Sequence, residues 1–160
     1  LTGPLQEVMY DRTKKLISWL NTKVFLNEKY NANTMAFRNL FTPRGHIYTC
    51  HLGENIGDEK CGIGRPVLIV SNDSANRKNS NVIVVTLSKN IKYVPNSKVL
   101  KFKSHYVLSN SKYTKLAFDS CVQTEDIKVI SKSRLGKHIC SIDKTDMNAI
   151  KKRLKYSLDI

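Results

Sequence analysis

The sequence contains no apolar segment long enough to cross a membrane and no recognisable secretory leader. A membrane-spanning helix needs roughly 20 predominantly apolar residues, and the apolar runs here are much shorter. A signal peptide would show a basic start, an apolar stretch and a small-residue cleavage site, none of which we find. These absences predict a cytoplasmic protein that makes no contact with membranes.

The four cysteines lack the paired spacing of a zinc site or of a disulfide framework. Cys50, Cys121 and Cys140 lie in or beside strand-like runs, where a free cysteine behaves as a small apolar residue. The pattern predicts reduced thiols in a cytoplasmic protein.

The common catalytic motifs are also missing: there is no P-loop, no G-x-G-x-x-G, no H-E-x-x-H and no G-x-S-x-G. The glycines of "GDEKCGIGRP" (57–66) precede a strand rather than a helix, so no helix dipole can help to bind phosphate there. They predict a mobile loop. We expect no cofactor and no metal ion, and we expect the four histidines to be packing or surface residues.

Positive charge is what the sequence has in excess. Lys and Arg total 27 against 13 Asp and Glu, which gives a net charge of +14. A surplus of this size on a small protein attracts polyanions, chiefly nucleic acid, or an acidic protein partner.

The chain divides into an N-terminal helical extension, residues 1–42, and a main domain, residues 43–160. A helix over residues 4–28 is predicted from apolar residues at roughly helical spacing, namely Leu5, Met9, Leu16, Leu20 and Val24. Pro43 and Gly45 end the extension. We expect its apolar stripe to pack on the main domain or on a second subunit.

The main domain consists of short strand-like runs, and then a helix. The predicted strands are 46–52, 66–71, 81–88, 97–103, 120–130 and 137–142. Such a series, with little helix between the strands, predicts a compact barrel or strongly bent sheet of five to seven strands. Asp143 is placed to cap the final helix, whose apolar stripe is Met147, Ile150, Leu154 and Leu158.

Four sequence blocks carry a resemblance to a known family. They are "RGHIYTCHL" (44–52), "GDEKCGIGRPVLIVSND" (57–73), "NVIVVTLS" (81–88) and "LAFDSCVQTEDIKVISKSRLGK" (116–137). In this order and spacing they resemble the MazF/PemK family, the toxin half of bacterial toxin–antitoxin pairs. The resemblance runs from Arg44 to Ile160 and leaves the N-terminal extension outside it.

The resemblance implies a small barrel similar to the SH3 fold, with a C-terminal helix, assembled as a homodimer. It implies sequence-selective, metal-independent cleavage of single-stranded RNA. It also implies a cognate antitoxin whose acidic C-terminal tail blocks the RNA groove, and contact with DNA only indirectly, through that antitoxin.

The family's key arginine falls on Arg65 and its key hydroxyl on Ser88, where many members have threonine. The family's acidic position on a later strand falls on Glu125. Some members carry an arginine two residues before it, where this chain has Gln123. An acid–base mechanism that depends on that arginine is therefore not expected here.

Cleavage of RNA without a metal requires attack by the neighbouring 2′-OH, and leaves a 2′,3′-cyclic phosphate and a 5′-OH. The planar, always charged guanidinium of Arg65 suits the phosphorane that forms in this reaction. Ser88 can bond a phosphate oxygen or position the 2′-OH. Glu59 and Glu125 are the candidates for proton transfer, with a surface or turn role as the alternative for each.

Substrate binding is assigned to basic and aromatic residues near the two buried strands: Arg77, Lys78, Lys89, Lys92 and Tyr48. Plain solvation is the alternative for the basic residues. A different function also stays open, that of a non-catalytic binding module acting on DNA gyrase or nucleic acid, because of Gln123. A further alternative is that the N-terminal helix regulates a toxin-like domain.

Overall fold

The computed structural model describes the backbone of residues 4–160 and the side chains of residues 10–160. The helices are α1 (Pro4–Ala32), α2 (Thr34–Asn39), α3 (Asp73–Lys78) and α4 (Lys144–Leu158). The strands are β1 (His46–Cys50), β2 (Arg65–Ile69), β3 (Asn81–Ser88), β4 (His105–Leu108), β5 (Ser120–Ser131) and β6 (Leu135–Ser141). A short 3-10 turn, Lys132–Arg134, joins β5 to β6. Over residues 4–160, every helix is too short or too polar to serve as a membrane span.

The strands form one six-stranded antiparallel sheet in the order β4-β5-β3-β2-β1-β6. Strands β2 and β3 lie at its centre, as their continuous apolar, largely β-branched runs predict. A bulge interrupts the β3–β5 pair, because Thr86 pairs with Gln123 whereas Val85 pairs with Ile127. The prediction of a mainly β fold with an N-terminal and a C-terminal helix is confirmed.

Apolar side chains on the two faces of the sheet build two core clusters. Val67, Ile69 and Val84 belong to one cluster, while Leu68 and Val85, their neighbours in sequence, belong to the other. This alternation is the two-residue period of a strand. The face that carries Arg65 and Ser88 is therefore the face of Val67 and Val84.

Helix α4 covers the opposite face of the sheet. Asp143 caps it as predicted, because the backbone N–H of Asp146 donates to Oδ1 of Asp143 at 2.8 Å. Ile150 is fully buried in the cluster of Leu68, but Leu158 is 54% exposed. The predicted stripe thus packs along most of the helix and leaves the core at its end.

The strand predicted over 97–103 is wrong. This segment is a loop in which Tyr93 and Leu100 form an isolated bridge. Val99 is 64% exposed and Phe102 is 40% exposed, so its alternating apolar residues have no buried face to contact. The strand in this part of the fold is β4, which lies just after that segment and is only four residues long.

A helix also lies between β2 and β3, where the sequence pattern predicts none. Helix α3 follows β2 and is nucleated by Asn72, whose side chain accepts a hydrogen bond from the N–H of Ala75 at 2.8 Å. Its sequence has no apolar periodicity, which is why the pattern did not reveal it.

Helix α1 contacts the domain through a different face from the one expected. Leu16, Leu20 and Val24 are 50–58% exposed, so this stripe does not pack on the main domain. The side chains of Leu5 and Met9 lie outside the described residues. Trp19, Leu26 and Tyr30 share the face that meets the domain, where Leu26 is buried and Trp19 and Tyr30 are half-buried. Packing of the exposed stripe on a second subunit remains a prediction.

All four cysteines are free thiols. Cys50 and Cys121 are fully buried, and burial raises the pKa of each thiol to about 11. Both therefore stay neutral and act as small apolar residues within the sheet, as expected.

Candidate active site

Arg65 and Ser88 lie at the same end of the two central strands, since Arg65 begins β2 and Ser88 ends β3. Strands β2 and β3 are antiparallel and Val67 pairs with Thr86, so the same register, continued by two residues, places Arg65 opposite Ser88. Both residues line one cavity of about 340 Å³, together with the end of the β1–β2 loop and Phe118. The two residues that the family resemblance singled out are thus brought together.

The guanidinium of Arg65 is held at one end and free at the other. Its Nε donates to the carbonyl oxygen of Cys61 at 2.9 Å, which fixes the side chain against the loop that precedes β2. Within the described part of the chain, no carboxylate lies within 4.0 Å of Arg65. An arginine in a structural ion pair would have such a partner, so its terminal nitrogens stay available to an anion in the cavity.

The hydroxyl of Ser88 accepts a hydrogen bond from the backbone N–H of Asn90 at 3.2 Å. Because this bond uses a lone pair of the oxygen, the hydroxyl proton is left to donate. A donor hydroxyl and a free guanidinium edge on neighbouring strands form a pair of groups suited to phosphate oxygens.

A second cavity, of about 560 Å³, adjoins the first and shares Pro66, Phe118 and Ser120 with it. Its other lining residues include Lys115, Lys137 and His138, which supply positive charge and an imidazole ring. Phe118 is 57% exposed at the junction, with the Nζ of Lys89 5.9 Å from its ring centre. The two cavities are therefore neighbours, and we call them together the trough.

Sequence reasoning missed Phe118 and the second cavity. Phe118 lies inside the fourth block of the family resemblance, between Lys115 and Asp119, and an aromatic residue close to a lysine is a sign of a stacking surface. The sign is weak in the sequence, because exposure of Phe118 becomes evident only when the strands are paired.

Glu125 does not line either cavity. Its Oε1 lies 2.6 Å from Nε2 of His105, a histidine that is 2% exposed, and the carboxylate accepts this bond. Burial pushes the pKa of Glu125 upward, but hydrogen bonds from Ser104, its own backbone and His105 outweigh it and lower the pKa. The structure thus gives Glu125 a role in holding His105.

The bulge in β5 brings Asp126 to the face of Ser88. If the pairing of Thr86 with Gln123 continued without a bulge, Glu125 would lie opposite Val84, on that face. Instead, Oδ2 of Asp126 lies 3.4 Å from Oγ1 of Thr86 and 3.9 Å from Nζ of Lys60. The sequence gives no sign of the bulge, so Asp126 was not predicted.

Glu59 is an exposed residue of the β1–β2 loop and is outside the residues that line the cavity. Its backbone N–H donates to the carbonyl of Ile56 at 3.2 Å in a turn. The β1–β2 loop leads into Arg65, so Glu59 is close to the site in sequence. Its side chain is not among the residues that line the cavity.

The predicted RNA-binding residues are only partly assembled. Lys89 lines the cavity, whereas Lys92 lies on the following loop, with its Nζ 5.9 Å from the ring centre of Phe102. Tyr48 is outside both cavities, but its ring packs edge-on against His138, at 5.0 Å between ring centres. His138 in turn lines the second cavity.

Arg77 and Lys78 are not brought to the cavity. They lie on α3, beyond the end of β2 that is opposite to Arg65, and the guanidinium of Arg77 stacks on Phe41 at 3.7 Å. The expectation that they flank the site came from their proximity to the buried strands in sequence, and strand direction separates the two ends.

Among the side chains that the structure describes, those of residues 10–160, no three or more His, Cys, Asp or Glu lie together in a group able to hold a metal ion. What the site offers is charge and hydrogen-bond donors supplied by the chain itself.

Comparison with known proteins identifies the family. The model of the "PemK-like, MazF-like toxin of type II toxin-antitoxin system" family matches residues 43–158. The chain belongs to this family. The match includes Arg65, Ser88 and both cavities, and begins after α1 and α2.

Curated relatives of the family agree with this assignment. The chain is 31% identical over 117 residues to Endoribonuclease MazF of Staphylococcus saprophyticus, covering 73% of this chain and 91% of that protein. It is 29% identical over 119 residues to Endoribonuclease EndoA of Bacillus subtilis, covering 74% and 96%.

Solved structures of the family share the fold. The crystal structure of MazF from Deinococcus radiodurans matches with a TM-score of 0.60 and 16% identity, over 76% of this chain and 99% of that one. An endoribonuclease from a mycobacterial species matches with a TM-score of 0.57 and 22% identity, over 76% and 94%.

Proposed function

We propose that this protein is the endoribonuclease toxin of a type II toxin–antitoxin system, and that it cleaves single-stranded RNA sequence-selectively and without a metal ion. The observation that carries the proposal is that Arg65 and Ser88 line the same open cavity. The net charge of +14 supports a polyanionic substrate. The curated relatives, which are endoribonucleases, support the class of reaction.

The proposed reaction is an in-line attack by the 2′-OH on the adjacent phosphate. A bond forms between O2′ and phosphorus while the bond to O5′ breaks, which leaves a 2′,3′-cyclic phosphate and a 5′-OH. The 2′-OH loses a proton and O5′ gains one. Arg65 stabilises the extra negative charge of the phosphorane, because its fixed guanidinium needs no reorganisation. Ser88 donates to a non-bridging oxygen.

The proton transfers need a base and an acid, for which Glu59 and Glu125 were the sequence candidates. We add Asp126, which also lines neither cavity but whose carboxylate lies beside Thr86 on the face of Ser88. Glu125 is engaged with His105 and is therefore the weaker candidate of this adjacent pair. A carboxylate at Asp126 would be able to take the proton of the 2′-OH.

The RNA strand is proposed to follow the trough formed by the two cavities. Phe118, at the junction, offers a surface on which a base stacks, and Lys89, Lys115 and Lys137 neutralise the phosphates. In this arrangement the scissile phosphate sits at Arg65 and a flanking nucleotide enters the second cavity.

The partners follow from the family and remain part of the proposal. They are a cognate antitoxin with an acidic C-terminal tail, which would compete for the basic trough, and a second copy of the chain in a homodimer. Contact with DNA would occur only through the antitoxin. We further propose a cytoplasmic protein made of an extension, residues 1–42, and a toxin domain, residues 43–160.

The test is incubation of the full chain with a long, unstructured RNA in EDTA, followed by mapping of the ends. We expect cuts at a defined sequence, with cyclic phosphate and 5′-OH ends. Arg65→Ala should lower the cleavage rate by about 10²–10³-fold. Arg38→Ala is the matched control, because Arg38 is exposed on α2. Undiminished cleavage by Arg65→Ala would overturn the mechanism.

A non-catalytic binding function is the second candidate, and Gln123 is the observation that favours it. Glutamine is uncharged, so this position supplies no cation to the site, and the residue is buried, with 8% exposure. This alternative predicts salt-dependent binding of RNA, DNA or a protein target such as gyrase, with no new RNA ends.

A further inference from the structure

Helix α1 contacts the domain at few points. Leu26 is buried, the hydroxyl of Tyr30 donates to Oγ of Ser80 at 3.2 Å, and Trp19 is half-buried. A cavity of about 380 Å³ remains between the helix and the domain and is lined by all three residues. Since the contact is loosely packed elsewhere, each of these side chains matters for where the helix lies.

Trp19 lies directly against the backbone of Gly53. Gly53 is buried and has a φ of +82°, and a Cβ placed on it would overlap the indole ring. Glycine is thus required there for two reasons, the left-handed backbone and the close approach of the indole. The contact joins α1, which lies outside the family match, to the first residues of the β1–β2 loop.

Gly53 forms the base of that loop with Gly62. The N–H of Gly62 donates to the carbonyl of Gly53 at 2.7 Å, and the N–H of Leu52 donates to the carbonyl of Gly62 at 2.9 Å. The residue before Gly62 is Cys61, whose carbonyl holds Nε of Arg65. A short chain of contacts therefore leads from the indole of Trp19 to the guanidinium of Arg65.

Arg134 forms hydrogen bonds with the residues that precede Gly53 at the same loop base. Its Nε donates to the carbonyl of His51 at 2.8 Å and its Nη2 to the carbonyl of Leu52 at 2.6 Å. The same guanidinium lies 5.4 Å from the ring of Trp19. The indole is thereby held between a fixed cation and the glycine backbone.

Between Gly53 and Arg65 the loop is further held by a hydrogen bond from Nδ2 of Asn55 to the carbonyl of Lys60, at 2.6 Å, and by the 3.9 Å contact of Lys60 with Asp126, but it is rich in glycine. Gly57, Gly62 and Gly64 all have positive φ, with no atom within 4 Å of the position where a Cβ would be. A segment so rich in glycine loses much conformational entropy when it is ordered. A residue outside the loop can therefore order it by packing against its base, as Trp19 does at Gly53.

We propose that Trp19 is a positioning residue for catalysis: by packing on Gly53 it holds the β1–β2 loop, and through the carbonyl of Cys61 it keeps Arg65 aimed into the cavity. The inference rests on the proposed function, since Arg65 is taken as the catalytic arginine. It assigns the N-terminal extension a role in the reaction step. A displacement of Arg65 by about 1 Å is enough to cost a large factor in rate.

The test compares Trp19→Ala with Asn21→Ala in the full chain, because Asn21 is a nearby exposed residue of α1 that lies outside the apolar stripe. The substrate is an RNA oligonucleotide containing the mapped cut site. We expect Trp19→Ala to lower kcat by about tenfold or more and to leave KM within about twofold, since ground-state binding uses the trough. Asn21→Ala should leave both unchanged.

Hydrogen exchange of the amides of residues 53–64 supplies a measurement that does not depend on activity. Trp19→Ala should speed their exchange by about tenfold or more relative to Asn21→Ala, while exchange in β2 and β3 stays the same. If Trp19→Ala does not fold, Trp19→Phe serves instead, and we expect it to give a smaller change in the same direction.

A folded variant with unchanged kcat and unchanged loop exchange overturns the inference, and so does a loss that falls on KM alone. If the unsubstituted chain makes no cut in RNA, the proposed function fails. The exchange comparison then tests only the hold of Trp19 on the loop: identical exchange in both variants removes that hold, and faster exchange in Trp19→Ala supports it.

Discussion

The Nζ atom of Lys132 lies 2.6 Å from the carbonyl oxygen of Leu40, and this contact ties the N-terminal extension to the sheet. The same ammonium group donates to the carbonyls of Asn76, at 2.7 Å, and Arg38, at 3.3 Å. The side chain is fully buried, and none of the described carboxylates lies within 4.0 Å of it. Carbonyl dipoles at α2 and α3 therefore compensate the buried charge.

Replacing Lys132 by methionine should weaken the fold. The side chain keeps its length, but the buried carbonyl oxygens lose their donor, and we expect the free energy of unfolding to fall by about 1–3 kcal/mol. Urea unfolding followed by circular dichroism measures the change. Lys151→Met, at an exposed position on α4, is the control and should change stability by less than about 0.5 kcal/mol. Equal stability of both variants would contradict the role of the ammonium group.

A second buried network, around Asp146, makes stability depend on pH. The carboxylate accepts hydrogen bonds from Tyr106 at 2.6 Å, from Lys112 at 2.9 Å and from Tyr113. Burial pushes the pKa of Asp146 upward, but these bonds outweigh it and hold the pKa below its usual value. The ionised form is therefore the one that the folded state favours.

The sign of the pH effect follows from that direction. A carboxyl group whose pKa is lower when folded stabilises the protein above its unfolded pKa of about 3.9, and the stabilisation is lost as the pH falls through the folded value. At pH 7 we expect Asp146→Asn to cost about 1.5–3 kcal/mol. Urea unfolding at pH 7, 5 and 3 should show this cost shrinking only below about pH 4.

The matched control is Asp58→Asn, an exposed residue of the β1–β2 loop. It should leave the pH dependence of unfolding unchanged. If the cost of Asp146→Asn were the same at pH 3 as at pH 7, the hydrogen bonds would not depend on ionisation and the network would have to act through shape alone.

Particular residues show how much of the fold could be predicted from the sequence. The apolar runs that became β2 and β3, and the Asp143 cap, were predictable because they depend on neighbours in sequence. The segment 97–103 was wrongly predicted as a strand because its apolar residues alternate with the period of a strand. A strand there would need a surface against which to bury Val99, and the fold provides none.

The candidate site was predictable at Arg65 and Ser88, through the family resemblance, but not at its edges. The bulge in β5 decides whether Glu125 or Asp126 lies on the face of Thr86 and Ser88, and pairing across strands leaves no trace in local sequence. For helix α1, the residues with the more evident apolar spacing are exposed, and the contact depends on Trp19 meeting a glycine that is distant in sequence.

The carboxylates near the site can be ranked by matched amide substitutions. We expect Asp126→Asn to lower kcat by about 10²–10⁴-fold, the usual loss for a general base. Glu125→Gln should lower it far less, because Glu125 is bonded to His105, and Glu59→Gln should have little effect at an exposed loop position. Single-turnover cleavage of an oligonucleotide at saturating enzyme measures the rates. A loss confined to Glu125→Gln would return the role of base to Glu125.

Phe118 offers a way to separate substrate binding from chemistry. It lies at the junction of the two cavities, 57% exposed, where a base can stack on its ring. One stacked base contributes about 1–3 kcal/mol, so Phe118→Ala should raise KM by about tenfold and leave kcat within about twofold. Steady-state cleavage of a short RNA over a range of concentrations gives both constants. Tyr156→Ala removes an equally exposed aromatic ring from α4, and a rise in KM there as large as at Phe118 would mean that aromatic surface in general, rather than the trough, binds the RNA.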